Sequence, residues 1–257
     1  MMQQIDVGLT DCLKELHLPT VRECYNEQAD LARRESLSYE QYLLELVERE
    51  REVRKQNRIN RLLRESKLPV EKTLATFDRK RLPRKIDVQI NVLLNGSFLD
   101  RTENILAFGN PGSGKTHLLC AIGYELVQQG RRILFKSCGL LVQEMLIAKR
   151  DLKLQHFLKQ LAKYNALIID DIGYVQQSSA EMEVLFTLLS YRYERGSVML
   201  TSNLPFSQWE KIFKDPMTTA AAIDRLVHHC IILELNLPSY RLEESKKQKR
   251  KINIMQT

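Results

Sequence analysis

One stretch narrows the fold more than any other. A short apolar run, Ile105 to Phe108, breaks into Gly109-Asn110-Pro111-Gly112-Ser113-Gly114-Lys115-Thr116-His117. The run reads as a buried parallel strand. The residues after Gly114 read as a helix, because Leu118, Leu119, Ile122 and Leu126 recur at helical spacing. The pattern G-x-x-x-x-G-K-[ST] carries meaning only in such a strand–loop–helix setting. Gly109, Gly112 and Gly114 let backbone N–H groups converge on phosphate oxygens without Cβ clashes, and Asn110, Pro111 and Ser113 complete the loop. The helix N-terminus, with Lys115, Thr116 and His117 in its first turn, adds its positive end to the same spot. Lys115 is placed to reach β- and γ-phosphates and the Thr116 hydroxyl to bind Mg²⁺. The stretch implies a nucleoside triphosphate site.

From Ile105 onward strand and helix patterns alternate, which predicts a parallel sheet covered on both faces. Strands are expected at 105–108, 132–136, 166–171, 198–201 and 230–235, with helices between them, so the fold class is α/β with a parallel five-stranded sheet flanked by helices. Ala166-Leu167-Ile168-Ile169 ends in Asp170-Asp171. A carboxylate at the end of a central strand suits a magnesium-nucleotide site: Asp170 is the expected Mg²⁺ ligand with Thr116, and Asp171 the group that orients or deprotonates water. The apolar strand before Thr201-Ser202-Asn203 also ends on a polar amide. Asn203 is placed to meet the γ-phosphate or the water if that strand lies beside the phosphate strand; the alternative is a plain Asn-Leu-Pro turn.

The region before Lys67 differs in character and reads as wholly helical. Helical spacing is expected from Val7 to Leu18, ended by Pro19. Capping-box patterns at Thr20–Glu23 and Ser38–Gln41 open two further helices. The third turns basic after Val53, where Arg54, Lys55, Arg58, Arg61 and Arg64 outnumber the acids. Those five are the candidate contacts to duplex DNA, tracking phosphates with little reading of base sequence; the alternative is a solvated helix face with i,i+4 ion pairs. The expected organisation is a helical DNA- or partner-binding domain over 1–68, a linker and leading helix over 69–96, the nucleotide core over 97–243, and a basic tail over 244–257. In the linker, Phe77 either packs or stacks on the nucleobase.

Composition sets bounds. The 257 residues carry a formal net charge of +7, an excess that fits a polyanionic partner. Five scattered cysteines without a C-x-x-C pair read as reduced thiols of a cytoplasmic protein, and no apolar run approaches a membrane span. His228 and His229, being adjacent, are expected to point apart on a helix and to hold no metal.

The phosphate loop, the Ile168-Ile169-Asp170-Asp171 strand, Thr201-Ser202-Asn203, Ala222-Ile223-Asp224-Arg225-Leu226 and Ser239-Tyr240-Arg241 occur in this order. The set resembles AAA+ P-loop ATPases of the branch that holds DnaC- and DnaI-like helicase loaders and IstB-like insertion-sequence helpers. The N-terminal patterns resemble the IstB group: Leu16-x-Leu18-Pro19, Gln28-Ala29-x-Leu31-Ala32-Arg33-Arg34-Glu35, Leu37 to Leu43, and Lys72-Thr73-Leu74 before Phe77-Asp78. The resemblance implies an ATPase that uses ATP and Mg²⁺, self-assembles on double-stranded DNA with ATP at subunit interfaces, and assists a transposase. It also implies Arg225 as a finger reaching a neighbouring subunit's site, Arg241 as a second phosphate sensor, and a C-terminal lid that is short or absent. The alternatives are a replicative helicase loader, a small-molecule kinase, and an ATP-binding scaffold without turnover. Against the kinase, Asp171 beside the metal ligand suits water activation better than transfer to an acceptor.

Overall fold

The computed structural model describes residues 2–173, 178–213, 215–240 and 242–243. They form two compact units, Met1–Arg61 and Leu62–Thr257.

The first unit is helical. Helices α1 (Met2–Glu15) and α2 (Pro19–Glu35) are followed by α3 (Tyr39–Ser66), whose residues up to Arg61 belong here. Leu13, Val21 and Leu46, one from each helix, form a small core with Tyr25 and Tyr42 around it. The capping box expected at Ser38 is present: Gln41 N–H donates to Ser38 Oγ at 3.2 Å and Ser38 N–H to Gln41 Oε1 at 2.9 Å. The one expected at Thr20 is not. Helix α2 begins two residues earlier, with Leu18 as N-cap, Pro19 as its first residue and no side-chain cap. The Thr20 and Val21 N–H groups instead donate to Oε2 of Glu50, at 2.9 and 3.2 Å. Glu50 is buried, and it also receives Arg54 Nε at 2.6 Å. A distant carboxylate thus takes over the local cap.

The second unit carries a five-stranded sheet in the order β2-β3-β4-β1-β5, every neighbouring pair parallel. The strands are β1 (Asn104–Gly109), β2 (Ile133–Ser137), β3 (Ala166–Asp170), β4 (Ser197–Ser202) and β5 (Cys230–Leu235). Helices α4 (Arg84–Leu94), α5 (Ser97–Asp100) and α6 (Lys115–Gln128) precede β2; α7 (Cys138–Arg150) and α8 (Leu154–Leu161) precede β3. Then come α9 (Ser179–Arg192) before β4, and α10 (Glu210–Phe213) and α11 (Pro216–Val227) before β5. Alternation along each strand sends side chains to two cores. Ile105, Ile168 and Met199 pack with Ile90, Leu118 and Ile122 on one face. Leu106, Ile169 and Leu200 pack with Leu141, Leu185 and Trp209 on the other. Each such buried aliphatic side chain contributes about 1.5–3 kcal/mol relative to exposure. That double burial explains why the strands read as unbroken apolar runs.

The cap supplied by Glu50 makes a testable demand. Burial pushes its carboxyl up, but the Arg54 guanidinium and the Val21 and Thr20 N–H groups outweigh that and hold it below the ordinary carboxylate value. Its contribution to stability is therefore present above the unfolded-state value and lost as pH falls through the depressed folded value. Glu50→Ala is expected to destabilise the helical unit by about 1–3 kcal/mol, because two N–H groups lose their acceptor. Urea titration of the full chain, with proteolysis mapped to residues before Arg61, should show this at neutral pH. The difference from wild type should shrink in acid.

Candidate nucleotide site

Strand order assembles the site. In the sequence β4 follows β3, yet in the sheet β4 lies between β3 and β1. The C-terminal ends of β3, β4 and β1 therefore stand side by side, carrying Asp170-Asp171, Asn203 and the phosphate loop respectively. A ligand crevice is expected at such a place, outside the carboxyl ends of parallel strands.

The loop leaves β1 at Gly109 and enters α6 at Lys115. Gly114 precedes the helix with φ +99° and no side chain caps that end, which leaves first-turn N–H groups for an incoming anion. Gly109 has φ +151°, and a Cβ there would run into the carbonyl of Leu235 on β5. Only glycine fits. Lys115 is buried to 6 % exposure, with its ammonium donating to Gly109 O (2.8 Å), Asn110 O (2.9 Å) and Asn203 Oδ1 (2.6 Å). Three acceptors match the three ammonium protons. Asn203 in turn donates through Nδ2 to Asp171 Oδ1 at 3.0 Å. Thr116 Oγ1 donates to Asp170 Oδ1 at 2.7 Å. Ser113 Oγ is buried with no partner among the described residues.

Beside the loop lies a cleft lined by Lys72, Phe77, Arg81, His117, Leu237 and Tyr240. Phe77 packs on Gly114 and meets the edge of His117, ring centroids 5.1 Å apart. His117 Nε2 is within 3.1 Å of both Thr76 Oγ1 and Thr73 O, so it ties the 73–77 turn to α6. Burial lowers its pKa, keeping the ring neutral at neutral pH. Tyr240 N–H donates to Gly112 O at 3.0 Å, while Arg81 lies over the Tyr240 ring and pairs with Glu243 at 3.0 Å. Arg241 and the basic tail after Glu243 lie outside the described residues.

Arg225 stands elsewhere. It is near the C-terminal end of α11, shortly before β5 begins, and β5 starts beside Asn104, at the far end of β1 from the phosphate loop. Its Nη1 donates to Ala221 O at 2.9 Å and its guanidinium lies 4.7 Å from the centre of the Phe186 ring. His228 and His229, expected to diverge on a helix, lie just past the end of α11 instead. Their rings approach to 4.1 Å, and with exposed Glu194 their ligand atoms lie within 4.8 Å of one another. Of the candidate DNA contacts, Arg54 is bound to Glu50 and to the His17 carbonyl, and Lys55 lies 3.7 Å from Glu52. Arg58, Arg61 and Arg64 are exposed on α3.

A model of the IstB-like ATP binding protein family matches residues 11–248. The chain belongs to that family. This IstB-like chain is 42% identical over 239 residues to an insertion-sequence protein of Sinorhizobium fredii (strain NBRC 101917 / NGR234) named for ATP binding, covering 93% of the chain and 80% of the relative. It is 36% identical over 249 residues to the corresponding IS21 protein of Pseudomonas aeruginosa, covering 96% and 91%. Among solved structures it is similar to the DnaC helicase loader (TM-score 0.56, 19% identity, 64% of this chain and 97% of that one). It is also similar to AMPPCP-bound DnaA from Aquifex aeolicus (TM-score 0.53, 21% identity, 73% and 57%). At these identities the likeness establishes the AAA+ P-loop fold of the IstB-like chain, whose family is one of ATP binding proteins.

Sequence reasoning passed over Thr201, whose hydroxyl donates to Asp170 Oδ1 at 2.7 Å and accepts the Asp171 N–H at 2.8 Å. A signal existed: a threonine closing an otherwise apolar buried strand needs a partner. Gly109→Ala is expected to weaken nucleotide binding at least ~10-fold, about 1.4 kcal/mol or more, well within the cost of overpacking against backbone. Gly130→Ala is the control: φ is +84° there but the space is open, so it should cost only the left-handed strain of about 1–2 kcal/mol in stability and leave nucleotide affinity intact. Calorimetric titration of ATP into both variants checks the contrast.

Proposed function

We propose that this chain hydrolyses ATP in assemblies formed on duplex DNA and thereby supports the transposase of an insertion sequence. The observation that carries the reading is the separation of two halves of a hydrolytic site. Lys115, Thr116, Asp170, Asp171 and Asn203 gather at the C-terminal end of the sheet, and Arg225 lies toward the other end. An arginine so placed serves its own loop poorly and a neighbour's loop well.

Within one protomer the roles follow from the contacts. An arriving γ-phosphate offers Lys115 charged acceptors in place of two carbonyls and an amide oxygen. Asn203 then exchanges its contact with Lys115 for the phosphate or the attacking water. Asp171, held by Asn203, takes the water proton as the oxygen attacks γ-phosphorus, and the bridging oxygen leaves with ADP. The Thr116 hydroxyl and the Asp170 carboxylate converge as hard oxygen donors of the kind Mg²⁺ takes, and the orphaned Ser113 hydroxyl suits a phosphate oxygen. Thr116 and Asp170 would hold Mg²⁺, whose chemistry there is to neutralise charge on the β- and γ-phosphate oxygens. Arg225 from a neighbouring protomer adds positive charge where the γ-phosphate loosens.

The DNA step is supported by the +7 charge and by exposed Arg58, Arg61 and Arg64. The transposition step is supported by the insertion-sequence names of the relatives.

Arg225→Ala is expected to bind ATP normally and lose turnover by roughly 10³-fold or more. Mixed with Lys115→Ala, which supplies an intact Arg225, it should regain activity, because some interfaces then combine two intact halves. Normal hydrolysis by Arg225→Ala, with a monomer on DNA by sedimentation, would sink the shared site. Duplex affinity should fall at least ~10-fold between about 50 and 200 mM salt, and Arg58→Glu with Arg61→Glu should flatten the slope by roughly 0.9 for each phosphate left unneutralised. Salt-independent binding would refute phosphate tracking.

A further inference from the structure

The two consecutive acids at the end of β3 need opposite placements. Asp170 faces Thr116, on the side where a metal ion would sit, whereas Asp171 faces Asn203 and, through it, Lys115. In a strand, successive side chains point to opposite faces, so β3 alone would send Asp171 away from the crevice. The chain leaves strand geometry instead: Asp171 has φ +66°, a left-handed conformation uncommon for residues with a Cβ, though aspartate takes it more readily than most.

Three hydrogen bonds at that bend run to one residue. Thr201 Oγ1 accepts the Asp171 N–H at 2.8 Å, and the Thr201 carbonyl accepts the Ile172 N–H at 3.1 Å. The same hydroxyl donates to Asp170 Oδ1 at 2.7 Å. A hydroxyl has one proton, and here it goes to Asp170, leaving a lone pair for Asp171 N–H. Thr201 is 1 % exposed, so water cannot replace either bond. Asp170 Oδ1 therefore receives two hydroxyl protons, from Thr116 and Thr201. The Thr116 hydroxyl keeps lone pairs with which it would hold a metal ion while its proton stays on Asp170 Oδ1. The Thr201 bond is a second, buried constraint on the same carboxylate oxygen.

We infer that Thr201 is a positioning residue that divides the labour of the two acids, aiming Asp170 at the metal and Asp171 at the attacking water. The turnover part of this inference rests on the hydrolytic reading above; the metal part needs only nucleotide binding. Neighbours that orient a metal-ligating carboxylate typically matter 10–100-fold in metal affinity or activity when removed.

The test compares wild type, Thr201→Val and Thr201→Ser, each first shown to unfold cooperatively on heating. Binding of a non-hydrolysable ATP analogue is followed by calorimetry across a Mg²⁺ series and in EDTA, and ATP turnover is measured in parallel. Thr201→Val should leave affinity in EDTA unchanged and raise the Mg²⁺ concentration needed for half-maximal tightening roughly tenfold or more. Its kcat should fall with little change in KM, while Thr201→Ser, which keeps the hydroxyl, restores both. A Thr201→Val that responds to Mg²⁺ as wild type does would overturn the inference alone. Equal weakening in EDTA, or a Thr201→Ser as impaired as Thr201→Val, would show that the side chain only packs. A wild-type chain whose nucleotide affinity ignores Mg²⁺ would overturn the metal reading itself, and the role of Thr201 with it.

Discussion

The structure of the second unit depends on a buried ammonium group. Lys115 opens helix α6 with its charge enclosed at the end of a hydrophobic sheet, a placement that costs several kcal/mol unless strong acceptors surround it. Those acceptors come from three directions: the carbonyls of Gly109 and Asn110 in the loop, and the side chain of Asn203 at the end of β4. The loop must therefore bend back on the helix, and β4 must lie against β1. The first follows from local chemistry, glycine at positive φ; the second is met by the long-range pairing of Ile105 to Phe108 with Met199 to Ser202.

That arrangement stores a readiness to bind. The Lys115 ammonium donates to two carbonyls and an amide, neutral oxygens that a phosphate oxygen would outmatch in charge. The amide oxygen of Asn203 faces the lysine while its nitrogen meets Asp171. Lysine and acid are thus joined through a single side chain. At the opposite end of the sheet the register of β3 and β4 is secured differently. Arg192 is buried at 3 % exposure and donates to the carbonyls of Leu161, Tyr164, Asn165 and Ser197. Burial lowers its pKa to about 10, still far above neutrality, so it remains charged and serves as a fixed multi-donor clamp.

What is legible in the sequence is what one short segment decides by itself. The phosphate loop, the apolar strands ending in Asp170-Asp171 and Asn203, and the Ser38 capping box each depend on residues within a few positions. The strand order does not, since nothing in β4 alone places it between β3 and β1. The expectations that fail share that cause. Thr20 to Glu23 matches a capping box, but Glu50, some thirty residues on, outcompetes it because a buried carboxylate is the stronger acceptor. His228 and His229 continue a helical pattern, but the helix stops at Val227. The clasp of Arg81 on Tyr240 and Glu243 joins residues more than 150 apart, beyond any periodicity.

The position of Arg225 carries the last step. A cation on an ordinary surface would be solvated, but this one rests on the ring of Phe186, and its half-buried guanidinium has exchanged part of its water for an aromatic face and a carbonyl. Such a group is only modestly stabilised at home, by about 0.5–2 kcal/mol. Anionic phosphate oxygens are stronger partners for a guanidinium than an aromatic face and one carbonyl. Helix α11 is followed, after His228 and His229, by β5, which pairs with the phosphate strand β1. The strand ends at Leu235, whose carbonyl closes on Gly109 of the phosphate loop. One strand, β5, therefore runs from the end of α11 to the phosphate loop at Gly109.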